Sequence, residues 1–334
     1  MALKILYAGS PEASLTTLKL LIEKQKEYNF GISGILSNPP SAKGRHKTLE
    51  STPVAEYGKE NNIPVFEPEH LDSIARNEIS KINAHFLVCF AYGHIFGPKF
   101  LDLFQCGGIN LHPSALPKYR GPTPIQNAIL NHDDSLSITV QTLSLKMDEG
   151  DILEQKTVPL NHTETTGELL DLSAKEGAEL ICKVIDKINN NLINNNFVKP
   201  QGKPQTGEPS YTQIVKKEDA KINWNDSSKN ICAKIRAYNP DPGCFTFLDN
   251  SSIRILNCAV VEKNNIDLFT NDFFSAPEGK ILKYEKSLGL IIKTSDGFIA
   301  LTRLQKQGKK EMDIKDFMNG SQNIIGKTFS NYNF

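Results

Sequence analysis

The sequence predicts an α/β protein in two parts: an open, doubly wound sheet with helices on its faces, followed by a small β-barrel. Three observations predict it. Short apolar runs alternate with amphipathic stretches through residue 189. The run at residues 85–91 is nearly all apolar, as in a strand buried on both faces of a parallel sheet. After a stretch rich in Pro and Gly, the pattern changes to five short strand-like runs.

The elements follow in order. Residues 4–8 form a strand that ends at the turn Gly9-Ser10-Pro11. Leu15, Leu18, Leu21 and Ile22 then mark one face of a helix. Residues 30–36 read as a second strand. The polar segment 37–47 has no apolar periodicity and reads as a loop, long for a strand-to-helix connection. Helices are predicted over 52–62 and 71–82, strands over 85–91 and 108–112, and a helix over 123–130. Two alternating strands, 136–143 and 152–160, precede a long helix over 165–189. Residues 199–209 carry three Pro and two Gly with no apolar anchor, and read as a linker between a domain at 1–198 and one at 210–334. The second domain opens with a helix over 227–238. Strands at 244–248, 253–261, 280–284, 288–293 and 298–304 suggest a barrel of OB type, and a last helix covers 312–318.

Composition narrows the functional classes. Of 334 residues, 39% are hydrophobic and 23% charged, which suits globular domains. No run approaches the roughly 18–20 apolar residues of a membrane span. The opening apolar run is too short for a signal peptide and begins a strand. Six scattered cysteines form no CxxC pair, which points to buried thiols in a reducing cytosol rather than zinc or redox chemistry. Net charge is zero, but residues 1–209 carry −4 and residues 210–334 carry +4. A basic second domain suits a polyanion, although a mixed-charge solvated surface explains the same excess.

The densest cluster of chemically capable residues is Asn110-Leu111-His112-Pro113-Ser114-Ala115-Leu116-Pro117-Lys118-Tyr119-Arg120-Gly121-Pro122. In a strand, Asn110 and His112 project to one side, at a carboxyl strand end where α/β sheets hold their ligands. A second cluster, Lys146-Met147-Asp148-Glu149-Gly150-Asp151, follows a strand. Taken singly, the first is also a Pro-rich turn with a core histidine, and the second a turn formed by Asp and Gly.

Together these segments resemble the formyltransferases that use 10-formyltetrahydrofolate. The likeness rests on Asn110-x-His112, on Ser114 through Gly121, and on Asp148-x-Gly150-Asp151. Leu6-Tyr7-Ala8-Gly9-Ser10-Pro11 and Phe90-Ala91-Tyr92-Gly93-His94-Ile95 extend it upstream. Lys217-Glu218-Asp219-Ala220 and Ile235-Arg236-Ala237-Tyr238-Asn239-Pro240 are similar to the methionyl-tRNA branch, so nearly the whole chain is covered. Ala115, Lys146, Met147 and Glu149 depart from the usual wording without removing a reactive group.

The resemblance implies a Rossmann-like formyltransferase domain, an OB-like tRNA-binding domain and the catalytic residues Asn110, His112 and Asp148. It implies a pocket for the co-substrate 10-formyltetrahydrofolate at Phe90, Ala91, Tyr92, Gly93 and Ile95, with Ser114, Ala115, Leu116 and Pro117. The partner it implies is initiator methionyl-tRNA, met by the basic loop Lys43, Arg45, His46 and Lys47, with Arg45 foremost. In the barrel, Arg254, Arg303, Lys306, Lys309 and Lys310 are candidate phosphate contacts. No metal is called for, and a cytoplasmic monomer is expected. An enzyme that formylates amino sugars or hydrolyses formyl-folate would keep the trio without the basic loop. An inactive RNA-binding protein would not need the trio at all.

Overall fold

The computed structural model describes residues 2–43, 48–191, 197–249, 251–262 and 271–330. These form two compact units. The first comprises the chain to Pro124, Ser135–Pro159 and Leu169–Gln213; the second comprises Ile125–Asp134, Leu160–Glu168 and the chain from Ile214 onward.

The first unit is built on β1 (Leu3–Ala8), β2 (Phe30–Leu36), β5 (Val65–Phe66), β6 (Phe86–Cys89), β7 (Gly108–His112), β8 (Ser135–Thr142) and β9 (Ile152–Pro159). Their order is β5-β2-β1-β6-β7-β8-β9. Pairing is parallel from β5 to β7 and antiparallel for β7–β8 and β8–β9. The period of two sends Leu3, Ile5, Tyr7, Phe86 and Val88 into one core and Leu6, Ala8, Leu87 and Cys89 into the other. Both faces are therefore buried, which is why these runs lack polar alternation. Helices α1 (Glu12–Lys24) and α6 (Thr166–Asn190) bring Leu15, Leu18, Ile181, Val184 and Ile185 to the first core. Helices α3 (Ser73–Ser80) and α4 (Pro98–Leu101) bring Ile79 and Phe100 to the second. Helix α2 (Pro53–Glu60) starts at Thr52, whose hydroxyl accepts from Ala55 N at 3.2 Å, and α3 at Asp72, which accepts from Ala75 N at 2.9 Å. Each such cap contributes about 1 kcal/mol. The strand order reverses between β1 and β6, and their carboxyl ends, like that of β7, open on one side of the sheet.

Two details depart from expectation. The segment predicted as a loop contains a hairpin, β3 (Ser41–Lys43) with β4 (Thr48–Glu50), paired Ser41 with Glu50 and Lys43 with Thr48. Its strands pair through the backbone, and all of β4 is exposed, so no apolar alternation marked it. The stretch 199–209 is bound to the first unit rather than spanning free space. Lys203 and Ile152 exchange backbone hydrogen bonds at 2.8 and 2.9 Å, and Ser210 O accepts from Arg120 N at 2.8 Å.

The second unit contains α7 (Ser228–Ala237) and an antiparallel sheet in the order β10-β11-β14-β13-β12. Its strands are β10 (Phe245–Leu248), β11 (Ser251–Val260), β12 (Ile281–Glu285), β13 (Gly289–Lys293) and β14 (Phe298–Lys306), with β15 (Glu311–Asp313) beside β14. The strip 326–330 joins the two edges. Ile281 N donates to Lys327 O at 2.8 Å on the β12 side, and Phe247 and Ser330 exchange bonds at 3.0 and 2.9 Å on the β10 side. The sheet thereby curls shut around Ile255, Leu290, Ile292, Ile299 and Leu301, all buried. Trp224 stacks on Phe329 at 5.3 Å and donates its indole N–H to Thr246 at 3.0 Å. The last predicted helix starts later than expected: Glu311–Asp313 extends the sheet, and α9 is Ile314–Asn319. Short helices α5 (Pro124–Leu130) and α8 (Asn271–Phe274) complete the elements. The second unit also takes in 125–134 and 160–168, where Thr166 donates its hydroxyl proton to Ala237 O at 2.6 Å and Gly167 N donates to Asn239 O at 3.1 Å.

Candidate active site

The site begins as one row across the sheet. Ala8 pairs with Cys89, Cys89 with Asn110, and Asn110 with Gln141. One step further on, His112 lies opposite Thr139. Residues opposite each other, or two apart, share a face, so Asn110, His112, Thr139 and Gln141 project together. On β7 the alternate residues Ile109 and Leu111 fill the opposite core, which leaves this face free for polar groups.

The turn after β8 brings Asp148 over the row. Its Oδ1 accepts from Gln141 Nε2 at 2.8 Å and from Asn110 Nδ2 at 3.3 Å. Its Oδ2 accepts from the backbone N–H of Gly121 at 2.8 Å. Three N–H donors thus converge on this one carboxylate. The turn is tight: Asp148 has φ +54°, and a Cβ on Gly150 would lie 1.7 Å from Thr142 O. Gly121 has φ +109°, a conformation glycine supplies at no steric cost, and that conformation is the one in which its N–H meets Asp148.

His112 is buried, with Nε2 2.9 Å from Tyr119 O. A carbonyl only accepts, so Nε2 carries the proton and donates. Nδ1 lies 3.6 Å from Asp148 Oδ1, beyond a hydrogen bond but facing that carboxylate. The Tyr119 carbonyl holds the imidazole at Nε2, and Asp148 faces the other ring nitrogen. Cys89 stands in the same row, yet burial pushes its thiol up to about 12, with the nearby Asp148 charge adding to the shift. It stays protonated near neutral pH and is a poor nucleophile.

The expected pocket residues line two loops at the same strand ends. Phe90, Tyr92, Ser114, Leu116 and Pro117 are buried, while Ala91, Gly93, Ile95 and Ala115 are exposed. Ala91 and Gly93 have φ +52° and +86°, which turns the chain sharply after β6. Asn38 Nδ2 donates to Tyr92 O at 3.0 Å, and Thr139 Oγ1 donates to Ser114 O at 2.6 Å, so both loops are anchored.

The expected RNA contacts are more dispersed. Lys43 ends β3, while Arg45, His46 and Lys47 lie outside the described residues. Arg254 donates from Nη2 to Pro240 O and lies against Gly243. Arg303 pairs with Glu311 at 3.3 Å and stays exposed. Lys306 donates to Ser321 Oγ at 3.2 Å and sits over the Phe317 ring at 4.8 Å. Lys309 and Lys310 are exposed in the turn before β15.

Arg120 and Glu149, which lie in the two sequence clusters but carried no assigned role, and Gln141 and Gln205, which sequence reasoning missed, all bear on the Asp148 turn. Of the two missed residues only Gln141 left a signal, as the residue of β8 that shares a face with Thr139.

A sequence model described as Formyl transferase matches residues 3–185, and one described as Formyl transferase, C-terminal domain, matches residues 214–322. A methionyl-tRNA formyltransferase of Treponema denticola is 39% identical over 97% of this chain and 98% of that protein. One from Pseudoalteromonas translucida is 34% identical over 97% and 95%. Among solved structures, a methionyl-tRNA formyltransferase of Clostridium thermocellum has a TM-score of 0.54 at 17% identity, over 78% of this chain and 94% of that one. HypX of Aquifex aeolicus in complex with tetrahydrofolic acid has a TM-score of 0.62 at 14% identity, over 95% of this chain. This chain spans about half of HypX, 47% of its length, and both structural likenesses speak to the fold alone. Identity above 30% along nearly the full length, together with both family matches, means that the chain belongs to the methionyl-tRNA formyltransferase family.

Proposed function

We propose that this enzyme transfers the formyl group of 10-formyltetrahydrofolate to the free amino group of initiator methionyl-tRNA. The observation that carries the proposal is the convergence of Asn110, His112 and Asp148 at the carboxyl end of β7. The amine attacks the formyl carbon, the C–N10 bond of the folate breaks, and the amine proton ends on N10. The reaction needs an oxyanion donor and a proton carrier, and no covalent intermediate. Asn110 spends one amide hydrogen on Asp148 and keeps the other for the formyl oxygen. His112 takes a proton at Nδ1 while the Tyr119 carbonyl holds its Nε2–H, and the Asp148 charge stabilises the imidazolium that forms.

In this proposal the co-substrate occupies the pocket of Phe90, Ala91, Tyr92, Gly93 and Ile95 with Ser114, Ala115, Leu116 and Pro117, whose exposed members are free to meet a ligand. Residues 1–198 supply formyl transfer and residues 210–334 the tRNA grip. Lys43, Arg45, His46 and Lys47 guide the acceptor end, and the exposed cations Arg303, Lys309 and Lys310, aided by Lys306 and Arg254, meet phosphates. The setting is the cytoplasm, with the chain acting as a monomer. The test is formylation of methionyl-tRNA by the wild type and by Asn110→Ala. Loss of an oxyanion donor lowers turnover on the order of 10²–10³-fold. A wild type that formylates amino sugars and leaves methionyl-tRNA untouched overturns the assignment.

A further inference from the structure

The segment 203–213 carries no residue in the proposed chemistry, yet it is laced to the active-site loops. Ser210 Oγ accepts from Tyr119 N at 2.8 Å, Thr212 N donates to Arg120 O at 2.8 Å, and Thr123 Oγ1 donates to Gln213 O at 2.8 Å. Within it, Gln205 has a distinct position. Its Nε2 donates to Asp148 O and to Gly150 O, both at 2.8 Å, and lies 3.4 Å from Gln141 Oε1. Its Oε1 accepts from Arg120 Nη2 at 2.7 Å and from Nε at 3.2 Å. The amide orientation follows from chemistry: a guanidinium only donates, so the oxygen must face Arg120 and the nitrogen must face the two carbonyls.

Arg120 is itself fixed. It is buried, its Nη1 reaches Glu149 Oε1 at 3.0 Å and Tyr211 Oη at 3.1 Å, and its guanidinium lies 5.8 Å from the Tyr211 ring centroid. Arg120 and Gln205 together grip the turn 148–150 at three successive residues. The turn needs such a grip because Asp148 is held at positive φ, a conformation that persists in a non-glycine residue when its surroundings fix it. Gln141 closes the circuit, touching both Gln205 and the Asp148 carboxylate.

We infer that Gln205 is a positioning residue of the formyl-transfer reaction: through its two amide hydrogens it sets the backbone of the Asp148 turn and thereby aims the carboxylate at His112 and Asn110. It touches no substrate and acts through Asp148. The inference rests on the proposed formyl transfer. Its signature is a defect in turnover rather than in folate binding, because the pocket loops at 90–95 and 114–117 have anchors of their own.

The experiment uses the full chain and compares wild type, Gln205→Ala and Gln205→Glu, with kcat and KM for 10-formyltetrahydrofolate at saturating methionyl-tRNA and a thermal unfolding midpoint for each. Gln205→Glu keeps the acceptor for Arg120 but has no hydrogen for the two carbonyls. Both variants are expected to lose about 10- to 100-fold in kcat, the scale of a displacement of about 1 Å, with KM within about threefold of wild type. Equal losses in both assign the effect to donation onto the turn. Wild-type kcat in Gln205→Glu overturns the inference, since the carbonyl contacts would then be dispensable. A KM rise that parallels the kcat loss, or a collapse of the unfolding midpoint in both variants, also overturns it by making Gln205 a general structural residue. A wild type with no transfer activity rejects the functional proposal instead, so the two failures are distinguishable.

Discussion

The Asp148 turn and the exposed cations of the second unit are built in opposite ways. Around Asp148 the polar groups that set the turn are committed: the carboxylate has three donors, the turn carbonyls have Gln205, and Arg120 has Gln205, Glu149 and Tyr211. On the barrel, Lys309 and Lys310 project into solvent and Arg303 shares its charge with one exposed carboxylate. The first region works by geometry in a partly buried setting, where a lost or reversed hydrogen bond leaves a group unsatisfied. The second sets charges in high dielectric, where long side chains readjust and salt screens them. A conservative substitution should therefore be ruinous in the first region and nearly silent in the second.

The largest effect is expected at Asp148→Asn. The new amide still accepts through its oxygen, but its N–H₂ must face either the Gly121 N–H or the pair of side-chain amides, donor against donor. The negative charge 3.6 Å from His112 Nδ1 is lost as well. Turnover should fall by about 10²–10⁴-fold, the usual worth of positioned acid–base catalysis, while circular dichroism stays native. Near-wild-type turnover would falsify the role of this carboxylate. His112→Gln probes the same region more finely. Glutamine can still donate to the Tyr119 carbonyl, so the loop should hold, yet it cannot carry a proton. A loss of about 10²-fold with an unchanged unfolding midpoint is expected; recovery of full activity would reduce His112 to a strut for the Tyr119 loop.

The contrast also explains what the sequence disclosed. Asn110 and His112 were legible because a strand period puts residues two apart on one side, and a carboxyl strand end is where such sheets bind ligands. The two layers of the first unit were legible for the same reason, since Leu3, Ile5 and Tyr7 interleave with Leu6 and Ala8. Gln205 was not. It lies 57 residues beyond Asp148, within a Pro- and Gly-rich stretch whose hydrogen bonds leave no periodic trace. The β3–β4 hairpin escaped too, because backbone pairing between exposed strands has no apolar signature. The short helix expected at 312–318 missed that Glu311–Asp313 still pairs with β14. Long-range polar contacts and edge pairing are the two kinds of information that local pattern does not carry.

The smallest effect should come from the barrel, and it is the one that separates charge from geometry. Lys309→Ala combined with Lys310→Ala removes two exposed ammonium groups from a turn whose backbone bonds, Lys309 N to Lys306 O at 3.0 Å and Gln305 Nε2 to Lys309 O at 2.9 Å, do not involve them. The fold and kcat should be untouched. An exposed charge pair is worth about 0.2–1 kcal/mol, so KM for methionyl-tRNA should rise only a few fold. The decisive measurement is the slope of log affinity against log salt. Each phosphate contact contributes about one unit to that slope, so the double variant should be less salt-dependent than the wild type by up to about two. The charge-preserving pair, Lys309→Arg with Lys310→Arg, should restore both affinity and slope, because only the sign and place of the charge matter there. If the alanine variant keeps the wild-type slope, these lysines face solvent in the complex as they do in the free protein, and the phosphate grip belongs to other cations of the chain.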